Sequence, residues 1–133
     1  MMLVPSSTGF AFNRTRHAYL ATRLTIAGTH WSRFRGLMCT DAEEFGKGNG
    51  LWIVPCRGVH TFAMSFPIDV IYLDAKNFVV HVQENLKPWR MARISRKAAS
   101  VLELPGNSLG ASGTMVGDEI EIAMGQARGM RTA

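Results

Sequence analysis

The sequence predicts a mainly β (α+β) fold: a compact, barrel-like curled sheet of about seven short strands with one short helix. Two observations carry this expectation. Short runs rich in Ile, Val, Leu, Tyr and Thr recur along the chain, separated by turn signals at Pro55, Pro67, Asp74 to Asn77, Pro105 with Gly106, and Gly117 with Asp118. Within several of these runs apolar and polar residues alternate with the period of two that a half-buried strand imposes.

Taken in order, residues 1–9 read as a flexible N-terminal tail, residues 10–124 as a single strand-rich domain and residues 125–133, which lack apolar periodicity, as a frayed C-terminal tail. Residues 19–26 alternate, with Leu20, Thr22, Leu24 and Ile26 on one side and Ala21, Arg23 and Thr25 on the other. Thr29 can cap a short helix over 31–38, where Trp31, Phe34 and Met38 recur at helical spacing. The glycine-rich stretch 41–50 reads as a loop, 51–54 as a strand stopped by Pro55, and 68–73 as a strand entered at Pro67. Asp74 to Asn77 is a hairpin turn into 78–82, and these last two strands are expected to pair. Residues 84–97 are irregular and basic, 99–104 form a strand closed by Pro105 and Gly106, and 119–124 form the last strand, with Ile120, Ile122 and Met124 inward and an acidic outer face.

At 133 residues the chain fits one domain that buries roughly two thirds of its unfolded surface. No apolar run approaches the roughly 18–20 residues that cross a bilayer, and the N-terminus has no signal-peptide pattern, so a cytoplasmic location without a membrane partner is expected. Cys39 and Cys56 are expected to be free thiols. The net charge of +5 is clustered: Arg14, Arg16, Arg23, Arg33 and Arg35 precede the first acid, Asp41, and a second group comprises Lys87, Arg90, Arg93, Arg96 and Lys97. That second group, with Trp89 among it, suits anions or nucleic acid through phosphate pairing and stacking, although a solvated basic face has the same composition.

The chemistry-bearing residues concentrate in residues 50–74, where Cys56, His60, Met64 and Asp69 punctuate an apolar run. Cys56, His60 and Met64 form a soft ligand set at four-residue steps, but Pro55, Gly58 and the β-branched residues between them oppose the helix that would align them, so no metal and no cofactor are assigned. Asp69, flanked by Ile68 and Val70, requires a hydrogen-bonding partner if buried: an arginine, His60 or backbone N–H groups. No nucleophile sits in a catalytic frame and no phosphate loop is present.

Arg35-Gly36-Leu37-Met38, Gly50-Leu51-Trp52-Ile53 through His60-Thr61-Phe62-Ala63-Met64, Pro67-Ile68-Asp69-Val70-Ile71-Tyr72-Leu73-Asp74, Val101-Leu102-Glu103-Leu104-Pro105-Gly106 and Gly117-Asp118 together resemble the prokaryotic family known as domain of unknown function 192, over roughly residues 18–124. The resemblance implies a single strand-rich domain and no particular reaction. It singles out Arg35, His60, Asp69 and Glu103 as side chains that need partners if they point inward, and with Met64 they make the candidate pocket. Three functions compete. The first is a ligand-binding or interaction module with a polar pocket near His60, for a small anionic ligand or a protein, its concave surface lined by His60, Met64, Trp52 and Trp89. The second is a small enzyme using His60 with Asp69 or Glu103 as acid and base on an anionic substrate. The third is a nucleic-acid binder acting through residues 87–97.

Overall fold

The computed structural model describes residues 8–27, 45–59, 61 and 64–127. Its strands are β1 (Thr8–Asn13), β2 (Ala18–Ala27), β3 (Asn49–Ile53), β4 (Ile68–Leu73), β5 (Val79–Leu86), β6 (Ser100–Pro105) and β7 (Ile120–Met124), with one short helix among the described residues, α1 (Ser108–Ser112), between β6 and β7. The helix expected over 31–38, with Arg35 in it and Cys39 after it, lies outside the described residues, as does His60. The strands form one sheet in the order β5-β4-β6-β3-β2-β1-β7. Every neighbouring pair is antiparallel except β2 with β3, which run parallel.

The sheet curls until its two edge strands meet at one end. Phe78 and Glu119 form a bridge there. Val79 N–H donates to Asp118 O at 2.8 Å, Gly117 N–H to Val79 O at 2.8 Å, and Ile120 N–H to Asn77 O at 2.9 Å. Gly117 makes this turn at φ 98°, a conformation that costs a residue with a side chain dearly. Beyond the bridge β5 and β7 no longer pair, so the barrel is half open. This explains a departure from the expected alternation: Ile120 is buried, but Met124, at the far end of β7, is 57% exposed.

Local chemistry accounts for the strands. The β4–β5 hairpin is held by Asp74, whose Oδ1 accepts Lys76 N–H and Phe78 N–H at 2.9 Å each, while Asn77 takes a left-handed φ of 65°. β5 runs on to Leu86, further than expected, because Gln83 and Leu86 still pair with Val70 and Ile68. In β2 the expected alternation breaks. The register against β1 shifts between Gly9 and Phe12, and the amides of Thr22 and Arg23 both donate to Gly48 O at 2.9 Å. The bulge puts Leu20, Ala21 and Leu24 into one core cluster, whereas Thr22 and Ile26 are only half-buried. Gly50 lies against this bulge: a Cβ there would sit 2.8 Å from Ala21 Cβ, too close for any side chain.

Two apolar clusters lie on opposite sides of the sheet. Ala11, Leu20, Leu24, Ile71, Leu73, Leu102, Leu104, Leu109 and Ile120 fill the concave interior. Leu51, Ile53, Ile68, Val70, Tyr72 and Val101 face the convex side, where Phe45, Met64, Phe66, Ala92 and Ala98 cover them. β4 is therefore buried at every position, which is why its sequence is a continuous apolar run broken only by Asp69.

A polar knot holds the closed end. Asn13, fully buried, donates from Nδ2 to Thr114 Oγ1 and Asp118 Oδ2 at 2.9 Å each, and its Oδ1 accepts Arg16 N–H. Asp118 Oδ2 also accepts Arg16 Nε–H at 3.0 Å and Met115 N–H at 3.1 Å. Burial pushes the Asp118 carboxyl up, but the bonds from Arg16, Asn13 and Met115 and the charge of Arg16 outweigh it and hold the pKa below its usual value. A depressed carboxylate pKa contributes stability above the unfolded-state value and loses it as pH falls through the folded-state value. Asp118→Asn should thus lower stability by about 1–3 kcal/mol near neutral pH, and thermal melts should show its deficit against the parent shrinking as the pH drops below the ordinary Asp range.

Candidate functional site

Alternation along β4 and β6 decides which candidate residues can meet. On β6, Val101 belongs to the convex cluster and Leu102 and Leu104 to the concave one, so Glu103 faces the convex side, opposite Leu51 and Val70 in the register. On β4, Ile68 and Val70 face the convex side and Asp69 the concave one. Met64 is buried in the convex layer with Glu103. The described part of the candidate pocket is therefore divided by the sheet, with Met64 and Glu103 on one face and Asp69 on the other. Arg35 and His60 lie outside the described residues.

Asp69 is a structural tie. Its Oδ1 accepts Asn85 N–H at 2.8 Å and Asn107 N–H at 3.3 Å, and its Oδ2 accepts Leu109 N–H at 2.8 Å. The partner that its burial demands is thus the backbone at the end of β5 and at the start of α1, and the carboxylate fastens both to β4. Glu103 is the opposite case: it is 4% exposed on the face of the apolar convex cluster, and its carboxyl makes no hydrogen bond to any described residue. Burial pushes its pKa up to about 8, so it is a neutral acid at neutral pH.

Among the described residues the convex layer is built from irregular chain at 54–59, 61, 64–66 and 87–99, whose backbone groups bond to each other. Thr61, fully buried, is their hub: its N–H donates to Arg90 O at 2.8 Å and its carbonyl accepts Trp89 N–H at 2.9 Å. Its hydroxyl faces Lys87 O at 2.6 Å and accepts Arg90 N–H at 2.9 Å. Ala92 N–H donates to Val59 O at 2.8 Å, Ser95 N–H to Arg57 O at 3.0 Å, and Cys56 N–H to Ala99 O at 3.0 Å. Gly58 permits the approach, since a Cβ there would lie 3.3 Å from Arg93 O. Tyr72 anchors the layer to β4 by donating its hydroxyl to Arg93 O, and burial, with nearby Cys56 adding and Arg93 opposing, pushes that hydroxyl up to about 12. The His81 ring lies 5.0 Å from the Tyr72 ring; burial and then Arg93 hold its pKa below the ordinary value. Sequence reasoning missed Thr61 and Tyr72. The signal available for Thr61 was a hydroxyl inside an apolar run beside a stretch with no regular structure to satisfy its backbone.

What this layer presents outward is the second set of candidates. Lys87, Arg90, Arg93, Arg96 and Lys97 are all exposed, and so are Trp89 (63%), Met91 (67%) and Ile94 (67%). Ala92 and Ala98 point into the core between them. Trp89 takes φ 62°, an uncommon conformation for a bulky residue, with its N–H fixed on Thr61. The concave lining expected from Met64, Trp52 and Trp89 does not assemble: Met64 is in the convex core, Trp52 packs with the concave cluster, and Trp89 faces outward.

Cys56, half-buried, directs its thiol to Gly58 O at 3.0 Å, and no three His, Cys, Asp or Glu side chains among the described residues converge as metal ligands. A groove of about 720 Å³ opens beside α1, with Arg23 and Lys47 at its edge. Its polar lining is occupied internally: the Arg23 guanidinium donates to Asn49 Oδ1 and Lys47 O, Ser108 Oγ to Pro105 O, and Ser112 Oγ bonds Thr114 Oγ1. None of the described candidate residues lines it.

Comparison with known proteins matches residues 11–122 to the family model DUF192, described as an uncharacterized ACR. A UPF0127 protein of Thermococcus sibiricus is 32% identical over 114 residues, covering 82% of this chain and 71% of its own. Two crystal structures share the fold at 19% identity. One is a protein of unknown function from Novosphingobium aromaticivorans, with a TM-score of 0.73, covering 90% of this chain and 91% of its own. The other is a "putative transcription regulator" from Sinorhizobium meliloti, with a TM-score of 0.76, covering 91% of this chain and 98% of its own.

A carboxyl whose pKa is raised by folding binds a proton that the unfolded chain has released, so stability falls as pH rises from the unfolded value near 4.5 to the folded value of about 8. Glu103→Gln should abolish that decline. Melting temperatures of the parent should drop across this interval relative to those of the variant, by the equivalent of a few kcal/mol at most.

Proposed function

We propose that this chain, which belongs to the DUF192 family, is a binding module that engages an anionic partner through residues 87–97. The observation that carries the reading is the combination in that stretch of five exposed cations, no acid, and three exposed large apolar side chains. Cations alone are the ordinary dress of a solvated face. Trp89, Met91 and Ile94 are not, because an exposed apolar group adjoining charge gains free energy only when a partner covers it.

The fixed backbone supports the same reading. Hydrogen bonds with Thr61, Val59, Arg57 and Tyr72 tie the segment to the layer beneath it, so little ordering entropy is lost when a partner docks. Glu103 favours a second reading at one point. A neutral carboxylic acid held inside an apolar layer is the kind of group that donates a proton, as the enzyme with His60 would require. Asp69 does not favour it, being occupied by three backbone N–H groups on the other face of the sheet.

Retention on a heparin column tests the binding reading. Arg90→Ala with Arg93→Ala should elute at clearly lower salt than the parent, whereas the charge-matched pair Lys47→Ala with Lys76→Ala, exposed elsewhere on the molecule, should shift elution little. Equal shifts from both pairs would show that only net charge is being read.

A further inference from the structure

We infer that the anionic partner is a lipid bilayer surface, into whose headgroup region Trp89, Met91 and Ile94 insert while the surrounding cations meet lipid phosphates. This rests on residues 87–97 being the anion-binding surface and goes further by choosing the partner.

The choice follows from which apolar side chains are exposed. A surface for single-stranded nucleic acid stacks bases on aromatic rings and guanidinium planes, which Trp89, Arg90, Arg93 and Arg96 supply here, but it leaves exposed aliphatic side chains without a partner. Here one indole is accompanied by two flexible or branched aliphatic chains, each more exposed than the indole itself. Met91 and Ile94 have no flat face to offer a base. A bilayer interface, by contrast, takes both kinds of side chain: the amphipathic indole settles at headgroup level and the aliphatic chains reach the acyl boundary. The five cations with no intervening acid then supply attraction to an anionic leaflet, which adds with each Lys or Arg held near the surface.

The placement also fits. Ala92 within this segment and Ala98 just after it are the inward plugs, and the long side chains around them, apolar and cationic, are exposed. Insertion would require no unfolding, because the backbone bonds to Thr61 and Val59 lie on the core side of the segment. No helix among the described residues is long and apolar enough to cross a membrane, and the expectation of no membrane partner rested on the lack of a spanning segment. That bears on crossing a bilayer and leaves docking on its surface open.

Flotation with lipid vesicles tests the inference on the full chain. Vesicles of phosphatidylcholine with about a third phosphatidylglycerol should carry the protein upward, and vesicles of phosphatidylcholine alone should carry at least roughly tenfold less. Met91→Ser with Ile94→Ser should reduce binding to the anionic vesicles by roughly tenfold, whereas Met124→Ser, which removes an exposed apolar side chain on β7, should leave it unchanged. This pair spares Trp89, whose left-handed backbone a substitution could disturb, and a thermal melt checks that the variant is folded. Binding to anionic vesicles that is indifferent to the Met91 and Ile94 changes would overturn the insertion. Failure to float, with salt-dependent binding to a single-stranded oligonucleotide, would overturn the choice of partner and leave the anion-binding reading standing. Failure to float together with loss of the heparin difference between the two charge-matched pairs would remove both.

Discussion

The fold depends on a sheet whose middle strands are buried on both faces. Ile68 to Leu73 of β4 is inaccessible along its whole length, as are Val101, Leu102 and Leu104 of β6. Curling the sheet buries the concave face, but the convex face needs an outer layer, and among the described residues that layer is irregular chain. Irregular chain packed on a core brings peptide groups out of water, each of which must find a partner or cost free energy on the order of 1–3 kcal/mol. Two stretches meet this demand by bonding to each other, with Thr61 contributing its amide, carbonyl and hydroxyl together. The covering layer is therefore as fixed as a strand without being one.

The same requirement shapes the surface. Inward positions of residues 87–98 must be small to lie on the sheet, and Ala92 and Ala98 are. The outward positions are exposed, and it is there that Trp89, Met91 and Ile94 stand among the cations. A coil with no structural need for exposed apolar groups nonetheless displays three. At the closure of the sheet charge is used differently. Asp118 is bonded to Arg16, Asn13 and Met115 and locks the closure of the sheet, so its charge is spent on the fold, whereas the cations of 87–97 face solvent.

Much of the architecture was legible because local chemistry decides it. The Asp74 to Asn77 turn and the apolar run of β4 could be read from residue types alone, since the turn depends on an Asx side chain and a left-handed Asn, and the strand on continuous burial. The phase of β2 was not legible: its bulge answers to Gly48, more than 20 residues away in the chain, and not to anything within the strand. The candidate site was legible only in part. Asp69 was recognisable as a residue needing a partner, but its three donors come from residues 16, 38 and 40 positions on, brought to it by the β4–β5 pairing and by α1. That Asp69 and Glu103 face opposite sides of the sheet depends on the register of β4 against β6, which places Asp69 beside Leu104 and Glu103 beside Val70. Residue types do not encode that register.

Amide hydrogen exchange on the parent and on Thr61→Val measures the central claim directly. If the outer layer is a fixed surface held by mutual backbone bonds, the amides of Thr61, Trp89, Arg90, Ala92 and Ser95 are protected together in the parent. Removing the Thr61 hydroxyl then lowers protection at Trp89, Arg90 and Ala92 while β4 and β6 keep theirs. Exchange of these amides at open-coil rates in the parent would contradict the account, because residues 87–97 would then be a loose strap and not a preformed surface.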